Sequence, residues 1–345
     1  MRNYTKQQQN APAERERSGQ RDRSARRGAG PAGITVAVCT YRRYALLDLA
    51  LQSLVRQAVP HEPARILVVD NSPDAPGSHA AEARWRTCAN LTWLREPQPG
   101  LSRARNAAIA ATQTPFIAFL DDDAVADPGW LAALLAAFER LGPAAHVVGG
   151  RVSLQFEAPR PDWLGDALLM YLSGCDLGRE TRFLTPGEWV VGANIAYRTE
   201  AVRTAGGFST SLGRIGGGAT LLSNDETELE ERIHARGGRT GYAPAAHVTH
   251  RVTPDRLTQA WLRRRSAWQA VSDFVRAPQQ TQDGSDEAWR RVRRYLATCR
   301  PADRTLRGLT LQEPDPERFT RQVFAVYDAV TTLLAATGDP DPDAA

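Results

Sequence analysis

The sequence predicts an α/β fold, a doubly wound and mostly parallel sheet flanked by helices, followed by a helical C-terminal extension. Three observations predict it. Short, nearly continuous apolar runs at Ile34–Val38, Ile66–Val69 and Phe116–Leu120 have the texture of strands buried on both faces. Segments with helical spacing lie between them, which is the alternation of βαβ units. Each run also ends in a polar cluster: Cys39-Thr40-Tyr41-Arg42 after the first, Asp70-Asn71-Ser72 after the second and Asp121-Asp122-Asp123 after the third. Open α/β sheets bind ligands outside the carboxyl ends of their strands, so the three clusters point to one crevice.

Ahead of the first strand, residues 1–32 are rich in Gln, Arg, Ser, Gly and Ala without hydrophobic periodicity, and read as a disordered basic tail. Eight basic and three acidic residues fall within it, so the net charge of +4 is a property of the tail and the rest of the chain is near neutral. A nucleic-acid partner is therefore not expected. The tail lacks the apolar stretch of a secretory signal, and no apolar run nears the roughly 20 residues that cross a bilayer. The expected location is cytoplasmic. Four scattered cysteines, with no C-x-x-C pair, suit reduced thiols and give no zinc signature.

Within residues 33–255, helical spacing runs from Tyr44 to Gln57 (Leu47, Leu51, Leu54, Val55), through the Ala-rich Leu101–Thr112, and over Pro128–Arg140. The second half carries strand-like segments at Val147–Leu154 and Trp189–Tyr197, then a helix over Glu226–Arg236. Residues 256–337 read as a separate helical region, with helices near 256–276, 284–299 and 316–336, and 338–345 as a flexible terminus. The helix from Leu257 to Arg276 combines Trp261, Leu262, Trp268 and Phe274 with three arginines. Its stripe could pack on the preceding domain or lie on the inner face of a membrane as a peripheral contact.

The chemistry starts at Asp121-Asp122-Asp123. In extended backbone Asp121 and Asp123 share a face and Asp122 points oppositely. Hard carboxylate oxygens suit Mn²⁺ or Mg²⁺, and three acids together repel unless a cation arrives. The alternative is a solvated acidic turn, with Asp127 capping the next helix.

The segments "VAVCTYRR", "ILVVDNSPD", "GLSRARNAAI" and "FIAFLDDDAVADPGWL" resemble family 2 glycosyltransferases of the GT-A fold over about residues 33–253. That resemblance implies an inverting, nucleotide-diphospho-sugar-dependent transferase. It implies that Thr40 and Tyr41 lie beside the nucleotide, and that Asp70, with Asn71, reads a uracil N–H and so favours a UDP-sugar. An Asx-turn at Asp70 is the alternative for that acid. The resemblance also places Arg103, Asn106, Asp121 and Asp122 near the nucleotide, Asp123, Asp121 and His250 around the metal, and Gly192 and Asn194 beneath the donor sugar, with Trp189 near the acceptor. Its acidic pair maps to Asp225 and Glu226, the second being the general base. The family order is often Glu-Asp, so Asp225 stays a rival, and Ser223 with Glu226 also has capping-box spacing. Gly213, Gly216, Gly217 and Gly218 suggest a loop that closes over the donor. No Gln-x-x-Arg-Trp element of processive synthases is present, so single-sugar transfer is expected, to a glycan, lipid-linked or small-molecule acceptor. A sugar nucleotidyltransferase or a non-catalytic nucleotide-sugar binder are the alternatives.

Overall fold

A computed structural model describes residues 33–57, 64–216 and 220–337. The expected basic tail, the flexible terminus and the glycines at 217 and 218 lie outside the described residues. The alternating apolar runs fold as expected: β1 (Ile34–Thr40), α1 (Tyr44–Leu54), β2 (Arg65–Asp70), α2 (Ser78–Trp85), β3 (Leu91–Arg95), α3 (Leu101–Ala111), β4 (Phe116–Leu120), β5 (Ala124–Ala126) and α4 (Trp130–Leu141). Then come β6 (Ala145–Phe156), β7 (Arg182–Phe183), β8 (Asn194–Arg198), α5 (Thr199–Thr204), α6 (Asp225–His234) and β9 (Arg239–Val252). The chain closes with α7 (Gln259–Arg276), α8 (Pro278–Ala297) and α9 (Pro316–Thr337).

The described strands form one sheet in the order β3-β2-β1-β4-β8-β6-β9-β5, with β7 on β9. The first four pair in parallel, as βαβ crossovers require. β8 enters antiparallel between β4 and β6, and β6 runs parallel to β9 along ten register positions. The interiors of β1, β2 and β4 are buried on both faces, including Val36, Val68 and Ile117, which is why they read as unbroken apolar runs rather than as alternation.

Two register details bring distant residues to the crevice. The parallel pairing of β1 with β2 sets Thr40 opposite Asp70. The antiparallel pairing of β5 with β9 sets His250 opposite Ala124, and Arg251 N–H donates to the Asp123 carbonyl at 2.9 Å. A histidine 127 positions down the chain is thereby carried beside the acidic triplet.

The expected strand from Trp189 is shortened to Asn194–Arg198. The preceding segment leaves the sheet because Gly192 N–H turns to a carboxylate of α6, while Val190 packs over Gly149. The stripe of α7 packs rather than faces outward. Leu262 joins Leu164, Leu168, Phe319 and Val323 in a second hydrophobic cluster, with Trp261 against it. Among the described residues no helix is long and apolar enough to cross a membrane.

Candidate active site

Asp121, Asp123 and His250 meet at the end of β4, with one ligand atom from each within 4.8 Å of the others. Asp122 sits in the turn that follows β4 and is fully buried. Its buried carboxylate accepts from Thr40 Oγ1 at 2.7 Å and pairs with Arg43. Burial raises the Asp122 carboxyl to about 7 despite Arg43. Burial opposes charge on Asp123 too, but His250, Arg43 and Arg256 outweigh it and hold that carboxyl well below its usual range. Asp123 Oδ2 lies 2.6 Å from Arg43 Nη1 and 3.3 Å from Arg256 Nη2, and Oδ1 lies 3.2 Å from His250 Nε2. His250 Nδ1 is buried without a hydrogen-bond partner. Two hard oxygen donors and an imidazole with an open nitrogen suit Mn²⁺ or Mg²⁺. His247, three residues back, points away, to Asp127 and Ser153.

A second acidic group faces this one from the start of α6. Asn224 adopts a left-handed conformation (φ 69°) and anchors the turn to α7, donating to Asp273 Oδ1 and accepting from Gln269 Nε2. No side-chain cap closes the helix. Ser223 Oγ bonds Gln269 rather than the helix start, so the capping-box alternative is not realised. The two carboxylates then diverge. Asp225 is clamped by Arg105 Nη1 at 2.6 Å, both side chains being 3% exposed. Glu226 stays 19% exposed, 3.8 Å from Arg105, and accepts from Gly192 N–H at 3.1 Å. Burial, reinforced by the neighbouring Asp225 charge, raises Glu226 to about 7. That leaves it poised to take a proton near neutral pH.

Arg105 is the hub the sequence reading missed. It reaches Asp225, Glu226 and, at 3.7 Å, Asp121, and its guanidinium lies over Phe208 and Phe119. A Cβ at Gly192 would sit 2.6 Å from Arg105 Nη2 and 2.8 Å from Glu226 Oε1, so any side chain there would push the guanidinium and the carboxylate from their places.

Two cavities meet beside the triad, at the arginines that pair with Asp123. The larger, of about 770 Å³, holds Asp121, Asp123, His250, Asp225, Glu226 and Trp189. The other, of about 480 Å³, is lined by Thr40, Tyr41, Asn71, Leu221, Trp261 and Arg264. Cys39, Arg43, Leu101, Arg214 and Arg256 line both and so mark the junction. Burial, together with Arg256 and Arg265, lowers Arg214 to about 10, the mark of a cation held among cations. Burial pushes the Cys39 thiol up to about 12, so it remains an inert thiol.

Residues 35–202 match the family described as "Glycosyl transferase family 2". The succinoglycan biosynthesis protein ExoM of Rhizobium meliloti (strain 1021) is 30% identical over 237 residues, covering 67% of this chain and 71% of that protein. The chain belongs to glycosyltransferase family 2. The glucosyl-dolichyl phosphate glucuronosyltransferase of Haloferax volcanii is 26% identical, over 70% of this chain and 76% of that one. Among solved structures, the mannosyltransferase PcManGT from Pyrobaculum calidifontis, in complex with GDP-Man and Mn²⁺, shares the fold with a TM-score of 0.57. It is 21% identical over 89% of this chain and 91% of that one. The protein is thus a glycosyltransferase with a GT-A fold, which sets aside the nucleotidyltransferase and non-catalytic alternatives.

Set against this glycosyltransferase frame, several expected site residues turn out to hold structure. Asp70 is fully buried, and its carboxylate accepts from Tyr44, from Ser72 N–H at 3.0 Å and from Ser78 at 2.6 Å. It is the Asx-turn and has no oxygen open to a base, which removes the reason for favouring uridine. Asn71 borders the smaller cavity, yet both ends of its amide are spent on Glu96, Gln98 and Gly100. Arg103, expected near the nucleotide, is exposed and donates to Gln98, outside both cavities. Asn106 pins the backbone of Phe208. Asn194 is buried, accepting from Trp130 Nε1 and donating to the carbonyls of Arg151 and Ala246, so it cannot reach a sugar. Ser102 lies inside α3 and donates to the Leu212 carbonyl. Asp127 meets His247 instead of capping α4, which opens at Gly129.

Proposed function

We propose that this glycosyltransferase moves a sugar from a nucleotide-diphosphate donor to an acceptor hydroxyl with inversion at the anomeric carbon, one sugar per encounter. The observation that carries the reading is the division of labour between the paired acids across from the triad. Arg105 locks Asp225, while Glu226 stays open to the cavity with its carboxyl raised to about 7.

In this reading the nucleotide occupies the smaller cavity beside Thr40 and Tyr41, and the diphosphate lies at the junction near Arg214 and Arg256. Asp121, Asp123 and His250 would hold Mn²⁺ or Mg²⁺, which when bound supplies positive charge opposite the diphosphate. Mn²⁺ in the mannosyltransferase structure supports that assignment. Glu226 takes the acceptor proton as the hydroxyl oxygen attacks from the face opposite the leaving group. Arg105 holds Asp225 in a buried ion pair, which leaves Glu226 as the acid of the pair that faces the cavity. Gly192 N–H orients the base through Oε1. The order Asp-Glu is workable because α6 starts on a left-handed Asn224, which presents Asp225 to Arg105 and Glu226 to the cavity.

The test is a thermal-shift panel of UDP-, GDP- and TDP-sugars with and without Mn²⁺. A cognate donor raises the melting temperature only with the metal, because ligand that binds the folded state alone must stabilise it. Indifference to every donor would overturn the reading.

A further inference from the structure

Past Glu226 the larger cavity continues into a chamber floored by α7 and α9, and one buried cation there has no use in the scheme above. Arg265 is 9% exposed. Its Nη2 donates to Ser223 Oγ at 3.2 Å and Gln269 Oε1 at 3.0 Å, and its guanidinium carbon lies 5.8 Å from the centre of the Tyr171 ring. Nε and Nη1 are buried with no hydrogen-bond partner, and Arg265 forms no ion pair among the described residues. Two acids act on Arg265 through space without bonding it: Asp273, which is committed to Asn224 and Tyr327, and Glu226, the proposed base. A desolvated guanidinium with open donors is costly to keep unless an anion comes to it.

Arg265 lies outside the nucleotide-side cavity, although its charge reaches Arg214 at the junction. Arg264 lines the smaller, nucleotide-side cavity, whereas Arg265, one helical step of about 100° on, lines only the larger one and is not among the junction residues. The rim of that chamber is aromatic and apolar: Trp189 is 47% exposed, with Phe324 and Met170 beside it. An aromatic face at the mouth and a fixed cation at the floor fit a sugar ring bearing a negative group.

We infer that this chamber is the acceptor subsite and that the acceptor sugar carries an anionic group, a carboxylate or a phosphate, received by Arg265 while Trp189 backs the ring. The inference rests on the donor–acceptor reading above and extends it to the acceptor's chemistry.

The experiment titrates the full chain, loaded with Mn²⁺ and its donor, with three probes: methyl β-glucuronide, glucose 6-phosphate and the neutral methyl β-glucoside. Binding is read by calorimetry in wild type, Arg265→Gln and Arg265→Lys. At least one charged probe should bind tenfold or more tightly than the neutral one, and whichever arm leads names carboxylate or phosphate. Arg265→Gln should erase that preference, and Arg265→Lys should keep part of it, with the donor's own affinity unchanged in both. Equal binding of charged and neutral probes by wild type, or no binding of any, overturns the inference without reference to a variant. A loss of donor affinity in Arg265→Gln also overturns it, by assigning the guanidinium to the diphosphate. A wild type that binds no donor at all defeats the parent reading instead.

Discussion

Replacing Glu226 with Gln removes the proposed base while preserving most of its surroundings, because a Gln oxygen can still accept the Gly192 N–H that Glu226 Oε1 now takes at 3.1 Å. General-base assistance is typically worth about 10²–10⁴-fold, so transfer should fall by that factor. Donor affinity should not change, since Glu226 makes no contact with Asp121, Asp123 or His250. The pH dependence adds a sharper signature. With its carboxyl raised to about 7, Glu226 is about half ionised at neutrality and only about one part in thirty at pH 5.5. Initial rates at saturating donor, measured from pH 5 to 9, should rise with pH through a midpoint near 7 in wild type, and that limb should vanish in Glu226→Gln. The reasoning fails if Glu226→Gln keeps its rate within about threefold while Asp225→Asn loses two orders of magnitude. That outcome would move the base to the acid the structure shows clamped by Arg105.

Arg105→Leu should destabilise the fold by about 3–5 kcal/mol in urea unfolding, because it strands Asp225 as a buried charge. The double variant with Asp225→Leu should regain most of that, and a loss below about 1 kcal/mol in the single variant would contradict the clamp. Asp123→Ala should abolish the Mn²⁺-dependent part of the donor thermal shift, and an unchanged metal-dependent shift would remove Asp123 from the metal site. Glu230 is buried against Thr240, and burial raises its carboxyl to about 8. Such an acid binds more protons folded than unfolded between pH 4.5 and 8, so stability declines across that window and levels off above it. Glu230→Gln should therefore unfold like wild type at pH 4 but be more stable at pH 8.5, by roughly 2–4 kcal/mol. Equal stability at both pH values would refute it.

The fold was legible where a strand is buried on both faces, because an unbroken apolar run is then the only pattern compatible with the core. It was illegible where that condition lapses. β3 sits at the sheet edge with no residue fully buried, and β5 has three residues, too few to show a period. α2 buries only Ser78 and Ala81, so it has no stripe to read. The segment from Trp189 to Ala193 carries strand-forming residues, but its direction is set by Glu226 and Gly149, both far off in sequence.

The site divides along a similar line, and Arg105 shows why. Leu101, Ala104, Arg105, Ala108 and Ile109 fall at helical spacing on one side of α3, so Arg105 stands within an apolar stripe and Arg103 off it. An arginine in a stripe must either find a buried anion or leave the helix unpacked. The sequence therefore held a signal for Arg105 that outranked the reading given to Arg103. What it could not hold was the partner's identity, since Asp225 lies 120 positions away and reaches Arg105 only because an αL asparagine sets where α6 begins. The same reasoning explains Asp70 and Asn194. A polar side chain at a strand end looks alike whether it faces a ligand or closes a turn, and only the count of donors already spent on it distinguishes the two. Asp70 has its donors in Tyr44, Ser72 and Ser78, whereas His250 turns Nε2 to Asp123 and leaves Nδ1 buried without a partner. Where such open capacity lines a cavity, as at Asp123, His250 and Arg265, the chain is built to receive something.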